Sequence, residues 1–473
     1  MGCFRKLSLF LLAASAFAQL TNEDVRRVVE ATAKAIDSNS MVIAVTDRQG
    51  DILAVFRKPD APATATGNFG KQVDANELAV GLARTAGFFS NAQAPLSSRT
   101  VRYISGVHFP PGILYTGNAA LYGIENTNRG CIIGADYAEG RTVPPARSID
   151  GLSTGLGIIT GKADLFDSDP SAVNPGGVPL YKNGQVVGGV GVVGVAPDLA
   201  EYAAFMGAAG AGLLPTDIPA PGVVFIDGIA LPFVDNTTAP GGIGLGALTG
   251  SYVVEPLDSP GPAPEGDLVI PRAGSALTSQ EVRRIIDRAI DSANQTRAVI
   301  RLPLGSRARM VIAVADLDGT ILALHRMEDA TFFSIDVALA KSRNVITFSR
   351  NLPGVPPGTA VTNRTIGFGA QPFFPPGLDF TEPGPFFDIY KHDVENPCEG
   401  GNGVVFFPGA LPLYRNGVLV GGLGVSGDGV EQDDFVSAAG ALGFEPPKNI
   451  RADRVQIDGV RLPYLKFPRN PTQ

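Results

Sequence analysis

The sequence predicts an α+β fold made of two tandem modules. Three observations carry this. "MVIAVTDRQGDILAVFR" from Met41 returns as "MVIAVADLDGTILALHR" from Met310, and further matched segments follow in both halves, as a duplicated unit requires. In each copy, segments of helical and strand period alternate in the order helix, hairpin, helix, hairpin, helix. Both strands of the first hairpin are apolar on both faces, which places a sheet between two covering layers.

Each module opens on a capped amphipathic helix. In the second copy Thr278-Ser279-Gln280-Glu281 is a capping box, Leu277 and Val282 form a hydrophobic staple, and Ile285, Ile286, Ala289, Ile290 and Ala293 continue the stripe. In the first, Thr21 caps, Leu20 staples, and Val25, Val28, Val29 and Ile36 form the stripe. A hairpin follows, with strands at 41–46 and 51–57 or 310–315 and 320–326 around Asp47-Arg48-Gln49-Gly50 or Asp316-Leu317-Asp318-Gly319. The second helix covers 74–90 or 334–349 and aligns Arg84 with Arg343. Long Pro/Gly-rich inserts come next, 92–175 and 351–408. They share "RTVRYISGVHFPPG" from Arg99 and "RTIGFGAQPFFPPG" from Arg364, and a shared motif argues against a disordered linker. The second hairpin turns at Asn183-Gly184 or Asn416-Gly417, strong two-residue turn signals. A helix near 197–210 or 430–442 leads to a closing "FIDGIALPF" from Phe225 or "QIDGVRLPY" from Gln456. This gives module one at 19–236, a Gly/Pro-rich linker at 237–275 and module two at 276–473. Each module is an antiparallel sheet flanked by helices, profilin-like or PAS-like in outline.

Composition narrows the function classes. The chain has 473 residues, 44% apolar and 18% charged, with a net charge of −8. An acidic chain without basic runs argues against nucleic acid and anionic membrane surfaces, and no segment is long and apolar enough to span a bilayer comfortably. Residues 1–18 read as a secretory signal: Arg5 and Lys6, an apolar Leu7 to Ala14, and Ala16-Phe17-Ala18 as cleavage site. Export to a periplasmic or extracellular space follows. Cys131 and Cys398 remain after cleavage, in corresponding irregular stretches, either as a disulfide across the modules or as two buried thiols.

Gly189 to Gly194 and Gly422 to Gly427 fit G-x-G-x-x-G, but they end the second arm of a hairpin rather than opening a βαβ unit. They read as close-packing glycines. The N-terminus of the helix that follows can still hold an anion.

"LTSQEVRRIIDRAI", "VIAVADLDGTILALHRMEDA", "ALAKSRNVITFS" and "LPLYRNGVLVGGLGVSGDGVEQDD" together resemble the GlcG/HbpS-type family of exported heme-binding proteins. The resemblance covers most of module two and, more weakly, module one. It implies a profilin-like α/β module, oligomeric assembly and binding of heme or a related tetrapyrrole; some members are described as heme-degrading. The long inserts and the duplication depart from the family's short single-module pattern.

Heme demands an apolar slot, an axial ligand and cations for two propionates. His325 ends the second strand of module two, where module one has Phe56. It reads either as the metal ligand or as a partly buried histidine satisfied by a carbonyl. His108, beside Phe109, either swings over a tetrapyrrole face or packs in its loop, and His392 reads as a solvated loop residue. Arg326, Lys341 and Arg343 either bind propionates or pair with acidic neighbours such as Asp336. Lys341 replaces Leu82, and Ser426 replaces Val193, so the polar complement survives in module two. Asp433 and Asp434 sit where acids favour a helix dipole without chemistry. No nucleophile–base pair, HExxH or CxxC stands out.

The leading reading is an exported, two-module heme-binding protein, with module one as the built-in partner of a pseudo-dimer and further homo-oligomers open to it. The alternatives are a heme-degrading enzyme, or a secreted small-ligand or structural module without heme.

Overall fold

The computed structural model describes residues 18–162, 169, 171–216 and 223–473. The signal segment, Ala18 apart, lies outside the described residues.

Module one runs α1 (Asn22–Ala35), β1 (Val42–Asp47), β2 (Ile52–Arg57), α2 (Ala75–Phe89), α3 (Ser98–Tyr103), β3 (Gly177–Lys182), β4 (Gln185–Val193) and α4 (Pro197–Gly210). Two short strands follow, β5 (Ser251–Val254) and β6 (Gly266–Val269). Module two runs α5 (Ser279–Ala293), β7 (Met310–Ala315), β8 (Ile321–Arg326), α6 (Ser334–Arg350), α7 (Asn363–Gly369), α8 (Phe387–Glu395), β9 (Ala410–Arg415), β10 (Val418–Gly427) and α9 (Val430–Gly440). The class is α+β. Two five-stranded antiparallel sheets share one order, β3-β4-β1-β2-β5 and β9-β10-β7-β8-β6.

Local sequence explains the elements. Both opening helices carry complete capping boxes, Thr21 with Asp24 and Thr278 with Glu281, which satisfy orphan N–H groups at each start. Every residue of β1 and β7 is buried. Helices α2 and α6 cover one face of their sheets, and the pairs α1/α4 and α5/α9 cover the other. Asn183 and Asn416 take the left-handed conformation their turns require, φ 53° and 51°. The G-x-G-x-x-G glycines are packing residues: a Cβ at Gly191 would strike the Ala79 carbonyl of α2, and one at Gly424 the Ala338 carbonyl of α6.

The repeat extends to single hydrogen bonds. Arg84 Nε donates to Gly50 O and Arg343 Nε to Gly319 O, both at 2.9 Å. The closing segment of each module returns over its insert: Thr100 donates to Pro232 O at 2.6 Å, and Thr365 to Pro463 O at 2.7 Å.

The 237–275 stretch does more than link. Its strand β5 pairs with β2, and β6 pairs with β8. The outer edges of β2 and β8 offer unpaired backbone groups, and the connecting chain covers both. The described parts of the inserts are folded and lie partly between the modules. Phe89 stacks on Phe333 (centroids 4.0 Å apart, planes 8°) and Tyr122 on Tyr390 at 5.2 Å. One apolar cluster runs from Phe88, Leu96 and Ile124 into module two. Cys131 and Cys398 form a disulfide between the two inserts, Cα atoms 5.4 Å apart. Among the described residues no helix is long and apolar enough to cross a membrane.

Candidate functional site

The hairpin β7–β8 ends beside a cleft of about 860 Å³, lined by His325 and Arg326 on one side and by Pro260, Pro262, Pro264 and Arg141 on others. Strand alternation puts the two β8 side chains on opposite faces, yet at the strand end both reach the cleft wall. His325 Nδ1 lies 2.7 Å from Asp267 Oδ1 on β6, and Asp267 Oδ2 accepts from Arg283 on α5 at 2.7 Å. Burial alone would raise the Asp267 carboxyl, but the hydrogen bonds from Arg283 and His325 hold it below the usual carboxylate range. The other ring nitrogen, Nε2, has no hydrogen-bond partner among the described residues. A histidine fixed through Nδ1 by a carboxylate and open at Nε2 is set up as a metal ligand or proton acceptor. Arg326 is spent on structure: its guanidinium donates to Ala330 O at 3.0 and 2.6 Å and to Pro264 O at 3.1 Å. Arg141 is exposed at the cleft rim.

The other sequence-predicted residues lie apart from this cleft. Lys341 is fully buried, donates to Val425 O at 2.8 Å and Asp433 Oδ2 at 3.0 Å, and sits 4.8 Å from the centre of the Phe407 ring. In place of the expected propionate contact it forms an internal ion pair. Ser426, also buried, donates to Ser334 Oγ at 3.0 Å. Arg343 is held by Gly319 O, Asn402 Oδ1 and Ile133 O, which ties α6 to the first insert. His108 is buried, with Nε2 2.9 Å from Asp379 Oδ1 in the opposite module. His392 is exposed, 2.7 Å from Glu399. None of the arginines or Lys341 pairs with Asp336, which accepts instead from Asn128 N and Asn402 Nδ2. Asp433 and Asp434, expected as helix-dipole partners, are buried and paired with Lys341 and Arg364. Burial pushes the Asp433 carboxyl up to about 7, against the pull of Lys341.

Two further cavities flank the module junction. One, about 280 Å³ and lined by Phe88, Ile133, Tyr137 and Phe332, is too small for a tetrapyrrole. The second, about 900 Å³, lies between the closing segment of module two, the start of α9 and loops of module one.

A family model described as "Haem degrading protein HbpS-like" matches residues 277–441. Residues 277–441 thus form an HbpS-like domain. Two curated relatives are similar to part of this chain. Corrinoid adenosyltransferase PduO of Salmonella typhimurium is 30% identical over 138 residues, 29% of this chain and 33% of that protein. An uncharacterized 15.0 kDa protein from the dhaT-dhaS intergenic region of Citrobacter freundii is 28% identical over 128 residues, 27% of this chain and 70% of that protein. The chain therefore spans about a third of the length of PduO. Among solved structures, a PduOC:heme complex is similar at 24% identity, covering 36% of this chain and 94% of that one, with a TM-score of 0.26. A double mutant of Streptomyces reticuli HbpS is similar at 19% identity, covering 40% and 97%, with a TM-score of 0.24.

Sequence reasoning singled out His325 as a candidate and missed its partner Asp267. Asp267 sits in the Gly/Pro-rich stretch read as linker, and no local pattern ties it to a strand 58 residues later. Arg141 likewise comes from the module-one insert.

Proposed function

We propose that this chain is an exported tetrapyrrole-binding protein of two tandem profilin-like modules, in which the HbpS-like module takes heme and module one serves as its built-in partner. The observation that carries the reading is His325, anchored by Asp267 and Arg283 on the wall of an 860 Å³ cleft. The prolines, His325 and Arg141 fit the group, while Asp51, Glu265 and Glu328 add carboxylates to the same lining. The volume lies within the range of cofactor sites, and the three prolines offer flat apolar wall. Arg141 supplies a rim cation for a propionate. His325 would hold the iron, with Arg326 shaping the cleft through its backbone contacts. Bound heme supplies an iron centre for ligand or electron chemistry. The description of the matching family supports the ligand. The Cys131–Cys398 disulfide supports export, since such bonds persist in oxidising compartments.

Titration of the purified chain with hemin tests this. A saturable Soret shift is expected, much weakened in His325→Ala. Absence of any shift in the wild type, or an unchanged titration in the variant, removes the reading. The similarity to a corrinoid adenosyltransferase gives a second tetrapyrrole to offer in the same assay, a cobalamin.

A further inference from the structure

We infer that the 900 Å³ cleft at the junction holds a second, separate site, for a small molecule bearing a carboxylate or phosphate on an apolar body. The argument comes from comparing the two modules at equivalent positions. In module one the position is closed on itself. Arg99 is paired at Nε and Nη2 with both oxygens of Glu201 (2.7 and 3.0 Å), and Nη1 lies 3.1 Å from Asp235. Phe233 is buried, and α4 begins with Pro197, which has no N–H.

Module two keeps the arginine and changes its surroundings. Arg364 corresponds to Arg99, and Asp434 to Glu201. The aspartate is one methylene shorter, and its Oδ1 is taken by Gly409 N at 3.0 Å. Of the Arg364 guanidinium it therefore receives only Nε, at 2.6 Å, while its Oδ2 also accepts from Lys466 N at 3.1 Å. Nη2 of Arg364 is buried with no partner among the described residues. This atom can only donate, and a buried donor without an acceptor is costly. Tyr464 replaces Phe233; it is 4% exposed, and its hydroxyl is a second buried group without a partner. Lys466 replaces Asp235, which reverses the charge at that position, and its Nζ lies 2.5 Å from Glu431 Oε1. Val430 replaces Pro197, which restores an N–H at the first turn of α9, a helix that has no side-chain cap.

Arg364, Tyr464, Lys466 and the first residues of α9 all line the same cleft. Arg461, on the same wall and exposed, makes no ion pair among the described residues. Tyr464, Lys466 and Val430 each add a donor where module one has Phe233, Asp235 and Pro197. The missing partner is therefore an acceptor with negative charge, and a helix N-terminus adds to its field. Phe109 and Phe368, also in the lining, suit an apolar, preferably aromatic, body. The inference is independent of the tetrapyrrole reading, which turns on His325, so either can fail alone.

The test is calorimetric titration of the full disulfide-bonded chain with phenyl phosphate, benzoate, inorganic phosphate and, as neutral control, benzyl alcohol. Two variants restore module-one residues: Tyr464→Phe with Lys466→Asp, and separately Val430→Pro, which a helix accepts at its first position. Saturable binding of phenyl phosphate or benzoate is expected, at least about tenfold weaker in whichever variants fold, with benzyl alcohol silent. The tighter of the two aromatic anions assigns the phosphate or the carboxylate class. Failure of all three anions to bind, equal binding of benzyl alcohol, or wild-type affinity in a folded variant overturns the proposal.

Discussion

Lys341 Nζ donates to Asp433 Oδ2 at 3.0 Å with both side chains sealed from solvent, and module one has Leu82 and Ala200 at the same two places. The duplication thus contains its own double mutant. Removing one member of a buried pair strands a charge and costs about 3–5 kcal/mol, whereas replacing both with apolar groups is often near neutral. Lys341→Leu is expected to lower stability by that amount in urea unfolding. Adding Asp433→Ala is expected to restore most of it. A double variant as unstable as the single one would show that the pair does more than neutralise itself.

The Asp393 carboxyl gives the chain a pH dependence of known sign. Val404 N donates to its Oδ1 at 2.7 Å while Oδ2 is buried without a partner. Burial pushes the group up to about 7 from an ordinary 3.8, and the Val404 hydrogen bond opposes this only in part. The folded state therefore keeps its proton where the unfolded chain has released it. This contribution to stability is present below about pH 4, declines as pH rises to about 7, and is level above. Asp393→Asn keeps the Val404 acceptor and carries no titrating group. Its stability relative to wild type is expected to rise between pH 4 and 7, measured by urea unfolding across that range. Parallel curves would refute the assignment.

The Cys131–Cys398 bridge closes a loop across both inserts. Loss of a native disulfide typically costs about 2–5 kcal/mol. Cys131→Ser with Cys398→Ser is expected to fall in that range. The loss should be the same with and without reductant, while reductant destabilises only the wild type.

Asp267 holds His325 through Nδ1. Loss of such an anchoring carboxylate weakens metal-site affinity by roughly 10- to 100-fold. Asp267→Asn is expected to reduce hemin affinity by about that factor without abolishing the Soret shift. An unaltered affinity would mean that His325 does not meet the iron.

Much of the fold could be read from local pattern. The capping boxes at Thr21 and Thr278, the Asn-Gly turns and the all-apolar β1 and β7 each depend on neighbours within a few residues. Repetition of every signal in two copies made the reading redundant. The site was harder. His325 stood out as the one change from Phe56 at a strand end, but Lys341 and Ser426 stood out by the same logic and proved to be interior groups. A polar replacement in one copy signals altered chemistry. It does not say whether that chemistry faces a cleft or, as with Asp433, a buried partner.

The sequence by itself determined the repeated order of helices and hairpins and the packing role of Gly191 and Gly424, because hydrophobic period and turn chemistry are properties of contiguous chain. Only the tertiary structure decided that 237–275 lends an edge strand to each sheet, that Cys131 meets Cys398, and that Asp267 orients His325 while Asp433 neutralises Lys341. Those are contacts between residues tens to hundreds of positions apart. Their partners are chosen by which open edge or unpaired charge the folded sheets leave exposed to them.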